Sequence, residues 1–63
     1  MSDEHSFSLQ RASAEYRELA GKLRELAGGC LFPGARRSLL QLAVSFEMRA
    51  AHFDQEVARD GTP

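Results

Sequence analysis

Gly28-Gly29-Cys30-Leu31-Phe32-Pro33-Gly34 decides the reading of this chain, because it interrupts two long stretches of helical periodicity. Two consecutive glycines offer the left-handed backbone conformation that ends many helices. Proline is tolerated in a first helical turn, where its missing N–H would have had no partner, so Pro33 can open a second helix. A connection of this size joins antiparallel neighbours. The expected architecture is therefore an all-α antiparallel two-helix hairpin. Residues 1–63 form a single domain, with a first helix over about 6–27, a loop over 28–32 and a second helix over about 33–59.

Working outward, the first helix carries Leu9, Ala12, Tyr16, Leu19, Leu23 and Leu26 at alternating spacings of three and four. That is the a/d pattern of three consecutive heptads. Ala20 and Ala27 flank this seam and leave room for close helix approach. Arg11, Arg17, Glu18, Arg24 and Glu25 lie on the opposite side, with Gly21 among the polar positions. Ser6 and Ser8 are both candidate N-caps, and Asp3 and Glu4 suit the positive end of the helix dipole.

The second helix places Leu39, Ala43, Phe46, Ala50, Phe53 and Val57 on one stripe, with Leu42 at its edge. Gly61, Thr62 and Pro63 are expected to end the helix and the chain. A second apolar row, Leu40, Val44, Ala51 and Ala58 with Met48 near it, is offset from the first by ~100–140° at 100° per residue. A lone hairpin needs one stripe per helix, whereas a helix in a bundle touches two neighbours. Small chains without disulfide or metal usually associate. The expectation is a homodimeric four-helix bundle, with Leu40, Val44, Met48 and Ala51 as the interface. A different protein docking on the same row is the competing expectation.

Composition agrees with helices. The chain has eight Leu, nine Ala and no Ile, Asn or Trp. Its β-branched residues are Val44, Val57 and Thr62 alone, whereas strands favour such residues. A net charge of −1 supplies no basic field for nucleic acid and no polycationic face for a membrane. No apolar run approaches the ~20 residues of a membrane span. The start, Met-Ser-Asp-Glu-His-Ser, is acidic rather than basic and apolar, so no secretory signal is expected. With one cysteine, Cys30, there is no internal disulfide, and a cytoplasmic setting is expected.

Residues 16–27, YRELAGKLRELA, and 33–50, PGARRSLLQLAVSFEMRA, resemble a group of short uncharacterised bacterial helical-hairpin proteins. That group shows a Tyr-Arg-x-Leu-Ala segment, a proline-opened second helix and an Arg-x-x-Leu-Leu-x-Leu-Ala-x-x-(Phe/Tyr)-Glu segment. The likeness covers about thirty residues, just under half the chain. It implies the hairpin fold and brings no activity. Such proteins often place Asp or Ser before the proline, where this chain has Phe32, which is expected to pack as a plug over the hairpin end. In length and plan the chain is also similar to plasmid-copy-control RNA-binding hairpins, without a shared motif.

The chemistry-bearing residues are few. Arg36 and Arg37 stand at the second helix's start, where free amides can bind anions. The competing reading is that they neutralise the C-terminal end of the first helix near Glu25. Cys30 reads as a small residue filling the loop. His52, Asp54 and Glu56 cluster near the end of the second helix, but only His52 and Glu56, four apart, share a face, and two ligands are too few for a dedicated metal site; Glu47 is followed three residues later by Ala50 rather than by His. His52 and Glu56 read instead as a solvated pair one turn apart. Ser6, Ser8, Ser13, Ser38 and Ser45 accompany His5 and His52 without a Gly-x-Ser-x-Gly turn. No catalytic residue, cofactor or metal is expected. Arg49, toward the seam, either lays its stem along apolar surface or pairs with a Glu of a second chain. The function these features imply is a small non-enzymatic interaction or scaffold module that works by self-association. The alternatives are an adaptor using the Leu40–Val44–Ala51 row and an anion binder at Arg36 and Arg37.

Overall fold

The computed structural model describes residues 2–60, with side chains described from Phe7 to Arg59. Helix α1 spans Ser2–Gly28 and helix α2 spans Pro33–Asp60, joined by four residues. Arg17 pairs with Asp54 and Arg24 with Glu47, so each step of seven along α1 matches a step of seven back along α2. The helices are antiparallel, and the all-α hairpin is the observed architecture.

The first helix starts earlier than its serines suggest. Ser6 and Ser8 lie inside α1 rather than at its N-cap position, because the helix already begins at Ser2. Neither glycine nor proline interrupts residues 2–20, and Asp3 and Glu4 fall in the first turn, where acidic residues favour a helix. The side chains of Asp3, Glu4, His5 and Ser6, and all of Gly61-Thr62-Pro63, lie outside the described residues.

At the other end of α1 the expected left-handed glycine is absent: among the described residues no glycine has positive φ. The helix tightens instead. The Gly29 N–H is shared between the carbonyls of Glu25 (3.3 Å) and Leu26 (3.2 Å), and the Cys30 N–H donates to Ala27 O at 3.1 Å. Bonds of this i to i−3 type satisfy the last carbonyls without reversing the backbone. The chain then enters α2, whose first ladder bond runs from the Arg36 N–H to Phe32 O at 2.9 Å. Phe32 is not a plug: its side chain is 73% exposed. The short connection holds it at the tip of the hairpin, past the end of α1.

Among the described residues those fully buried are all small: Ser13, Ala20 and Ala27 on α1, and Ala43 and Ala50 on α2. They repeat every seven residues on both helices and form the line of closest approach. Side chains this small allow two helices to pack toward the low end of the ~8–10 Å range of axis separations. On α2 the expected stripe faces inward, with Leu39, Phe46, Phe53 and Val57 half-buried beside the alanines. On α1 the expected seam needs correction. Leu9, Ala12, Tyr16 and Leu23 are half-buried, but Leu19 and Leu26 are 44% and 62% exposed. The contact line has rotated toward Ala20 and Ala27, because only small side chains let the backbones meet so closely.

Ala50→Leu should destabilise the hairpin by about 1–3 kcal/mol in urea denaturation followed by circular dichroism, since added volume on this line forces the helices apart. Gly29→Ala should raise stability by about 0.4–1 kcal/mol in the same assay. A Cβ there meets nothing nearer than Leu26 O at 3.9 Å. A loss instead would show that the turn requires the left-handed conformation.

Candidate functional site

The row of small residues divides the hairpin surface into two faces. On one, Arg17 and Arg24 of α1 reach across to Asp54 and Glu47 of α2. The Arg24 Nε and a terminal nitrogen donate to the two Glu47 oxygens at 3.3 and 2.5 Å, a side-on pairing. Arg17 donates both to Asp54 and to the Ser13 hydroxyl, while Ser13 Oγ donates to Asp54 Oδ1 at 2.7 Å. Ser13 thus replaces alanine in the buried row and keeps its oxygen satisfied. The sequence reading missed these three-way and two-way contacts. Their signal was available: Arg17 and Arg24 are seven apart, as are Glu47 and Asp54, with opposite signs.

The hydrogen bond from Arg17, then that from Ser13, holds the Asp54 carboxyl below its ordinary range. The hydrogen bond from Arg24 lowers Glu47 likewise. The same bonds raise Arg17 and Arg24 above the ordinary guanidinium value.

Beyond the ion pairs lies the second row of α2. Leu40 stands seven residues before Glu47 and so lies in line with it. Leu40, Val44, Met48 and Ala51 are all exposed. Pro33, Arg36, Arg37, Leu40, Gln41 and Val44 line an open groove of about 500 Å³ here. Arg36 is already engaged, donating to Cys30 O at 2.7 Å, where it offsets the carbonyl end of α1. Arg37 is exposed at the groove wall. Cys30 is half-buried, its thiol 3.5 Å from Phe32 O.

The opposite face is aromatic and aliphatic, and both helices build it. Tyr16 stacks on Phe53 with centroids 5.6 Å apart at 15°, and meets Phe46 at 5.6 Å and 59°. Ala12, Glu15, Tyr16, Leu19 and Phe53 line a hollow of about 330 Å³. Leu19, in its wall, is exposed, as are Leu26 of α1 and Leu42 of α2 further along the same face toward the loop. No described ion pair crosses between the helices on this side.

His52, Asp54 and Glu56 do not converge. Asp54 turns to Arg17 and Ser13, Glu56 sits 3.8 Å from Arg59 rather than pairing with His52, and the exposed His52 lies beside the Phe53 ring. Among the described residues no group of three His, Cys, Asp or Glu is placed to hold a metal, and no helix is long and apolar enough to cross a membrane. Comparison with known protein families, curated sequences and solved structures gives no match.

Because Asp54 and Glu47 have lowered folded pKa values, their stabilisation is present above their ordinary values of 3.8 and 4.5. It is lost as pH falls through and below those values. The melting temperature should therefore drop on acidification from about pH 6 to about pH 3, and a Glu47→Gln/Asp54→Asn double variant should flatten that dependence. An unchanged acid profile in the double variant would remove these pairs as contributors.

Proposed function

We propose that this chain is a small non-enzymatic interaction or scaffold module that works by self-association, two hairpins pairing into a four-helix bundle. One observation carries the reading: among the described residues the fully buried side chains are four alanines and a serine, while the large apolar side chains stay half-buried or exposed. Burying a methyl-sized group contributes about 0.8 kcal/mol, against about 1.5–3 kcal/mol for a whole Leu or Phe side chain. The greater part of the available hydrophobic stabilisation is thus left for a second surface to realise.

The aromatic face suits that surface better than the Leu40 row. Both helices contribute to it, so a second hairpin covers apolar atoms across its full width. Covering the other face would desolvate the half-exposed Arg17–Asp54 and Arg24–Glu47 pairs, which loses much of what their Coulomb attraction returns. The groove at Pro33, Leu40 and Val44 favours a second reading, in which a different protein docks on the remaining row of α2.

Sedimentation equilibrium should show a species of twice the 7.0 kDa chain mass, with a melting temperature that rises with concentration. Leu19→Glu should shift the chain to monomer with helicity retained, whereas Val44→Glu should leave the mass unchanged. A folded monomer at every concentration sinks self-association, and dissociation by Val44→Glu alone moves it to the Leu40 row.

A further inference from the structure

The charges bordering the aromatic face specify how two copies would be oriented on it. Glu15 and Lys22 stand seven apart on the outer margin of α1, next to the column of Ala12, Leu19 and Leu26. Arg49 and Glu56 stand seven apart on α2, in the column that begins with Ala35 and Leu42. Residues seven apart on a packed helix point nearly the same way. The register set by Arg17–Asp54 and Arg24–Glu47 then puts the midpoint of Glu15 and Lys22 opposite that of Arg49 and Glu56. The match is within about one residue, or ~1.5 Å along the axis. None of the four is committed to a strong pair. Glu15, Lys22 and Glu56 make only long contacts one turn away, at 3.8, 3.9 and 3.8 Å, and Arg49 is exposed with no ion pair among the described residues.

From this common midpoint we infer that the partner on the aromatic face is a second copy of this chain with its loop at the opposite end, related by a two-fold axis that crosses both helices near Leu19. The inference rests on the self-association proposed above and adds its geometry. Two hairpins stacked face to face have two two-fold arrangements. If the axis runs along the helices, α1 lies over α2 of the other copy at equal height. Glu15 then meets Glu56 and Lys22 meets Arg49, four like-charge contacts. If the axis runs across the helices, α1 lies antiparallel on α1 and α2 on α2. Glu15 of each copy then meets Lys22 of the other, and Arg49 meets Glu56, four contacts of opposite sign. Like charges brought together at an interface disfavour that docking, so the pattern selects the second arrangement.

Apolar fit agrees. With the axis across the helices, Leu19 of one copy lies over Leu19 of the other, beside the hollow formed by Ala12, Tyr16 and Phe53. Leu26, the most exposed leucine of α1, falls opposite the small Ala12. With the axis along the helices, Leu19 would fall opposite Phe53 in the register of Arg17–Asp54 and Arg24–Glu47, so the marginal charges discriminate between the two arrangements.

Cys30, the single cysteine, reports the orientation directly. In the inferred dimer the two Cys30 residues are separated by about 23 helical rises, roughly 35 Å; with the axis along the helices they share one end. A nitroxide on Cys30 measured by pulsed dipolar spectroscopy should give a distribution centred near ~35 Å. A separation below about 20 Å with dimer mass retained overturns the orientation while leaving self-association intact. Monomer mass without dipolar coupling overturns both. A label-free check uses charge. Arg49→Glu should weaken dimerisation about threefold or more, and adding Glu56→Arg should restore it. In the rejected arrangement Arg49→Glu would face Lys22 and tighten the dimer instead.

Discussion

Close contact between alanines is the constraint on which the rest of this hairpin depends. Ala20, Ala27, Ala43 and Ala50 have no side chain beyond Cβ to hold the backbones apart, so the helices approach along one line. Every larger residue is displaced to one flank or the other. Ser13 joins that line because its hydroxyl, small enough to fit, finds Asp54 and Arg17 at its edge. The same closeness brings Arg17 and Arg24 within reach of acids on α2. A pair of helices spread by leucines would hold those groups further apart.

A contact line of this kind leaves a hairpin with two unlike sides. One is sealed by charge: the arginines and carboxylates hydrogen-bond across the helices while keeping about half their surface in water. Such pairs align the register and resist being covered, because desolvation opposes their attraction. The other side is sealed by rings, with Tyr16 set between Phe46 and Phe53. Rings and leucines gain from being covered, and this gives the aromatic side its directional preference for a partner. The register enforced on the charged side also determines where the marginal charges of the aromatic side fall.

Surplus apolar surface was legible in the sequence on one helix and hidden on the other. Leu40, Val44, Met48 and Ala51 were recognisable as surplus apolar surface on α2, and they are exposed. The comparable surplus on α1 was hidden, because Leu19 and Leu26 satisfy an a/d pattern and so read as core. Heptad periodicity identifies an apolar stripe and says little about which edge of it faces the neighbour. That choice depends on side-chain volume at the contact. Arg36 and Arg37 illustrate a similar limit: adjacent in sequence, they point about 100° apart, and Arg36 alone reaches Cys30 O.

By itself the sequence determined that there would be two helices, where they would part and that they would run antiparallel. Periodicity, composition and the Gly-Gly to Pro interruption act locally, and a short connection leaves little choice of direction. Only the tertiary structure decided the rotation of each helix about its axis, the tightened rather than left-handed end of α1, and the pairing of Arg17 and Arg24 with Asp54 and Glu47. These depend on how closely two backbones can approach, a property of the pair of surfaces that neither helix carries alone.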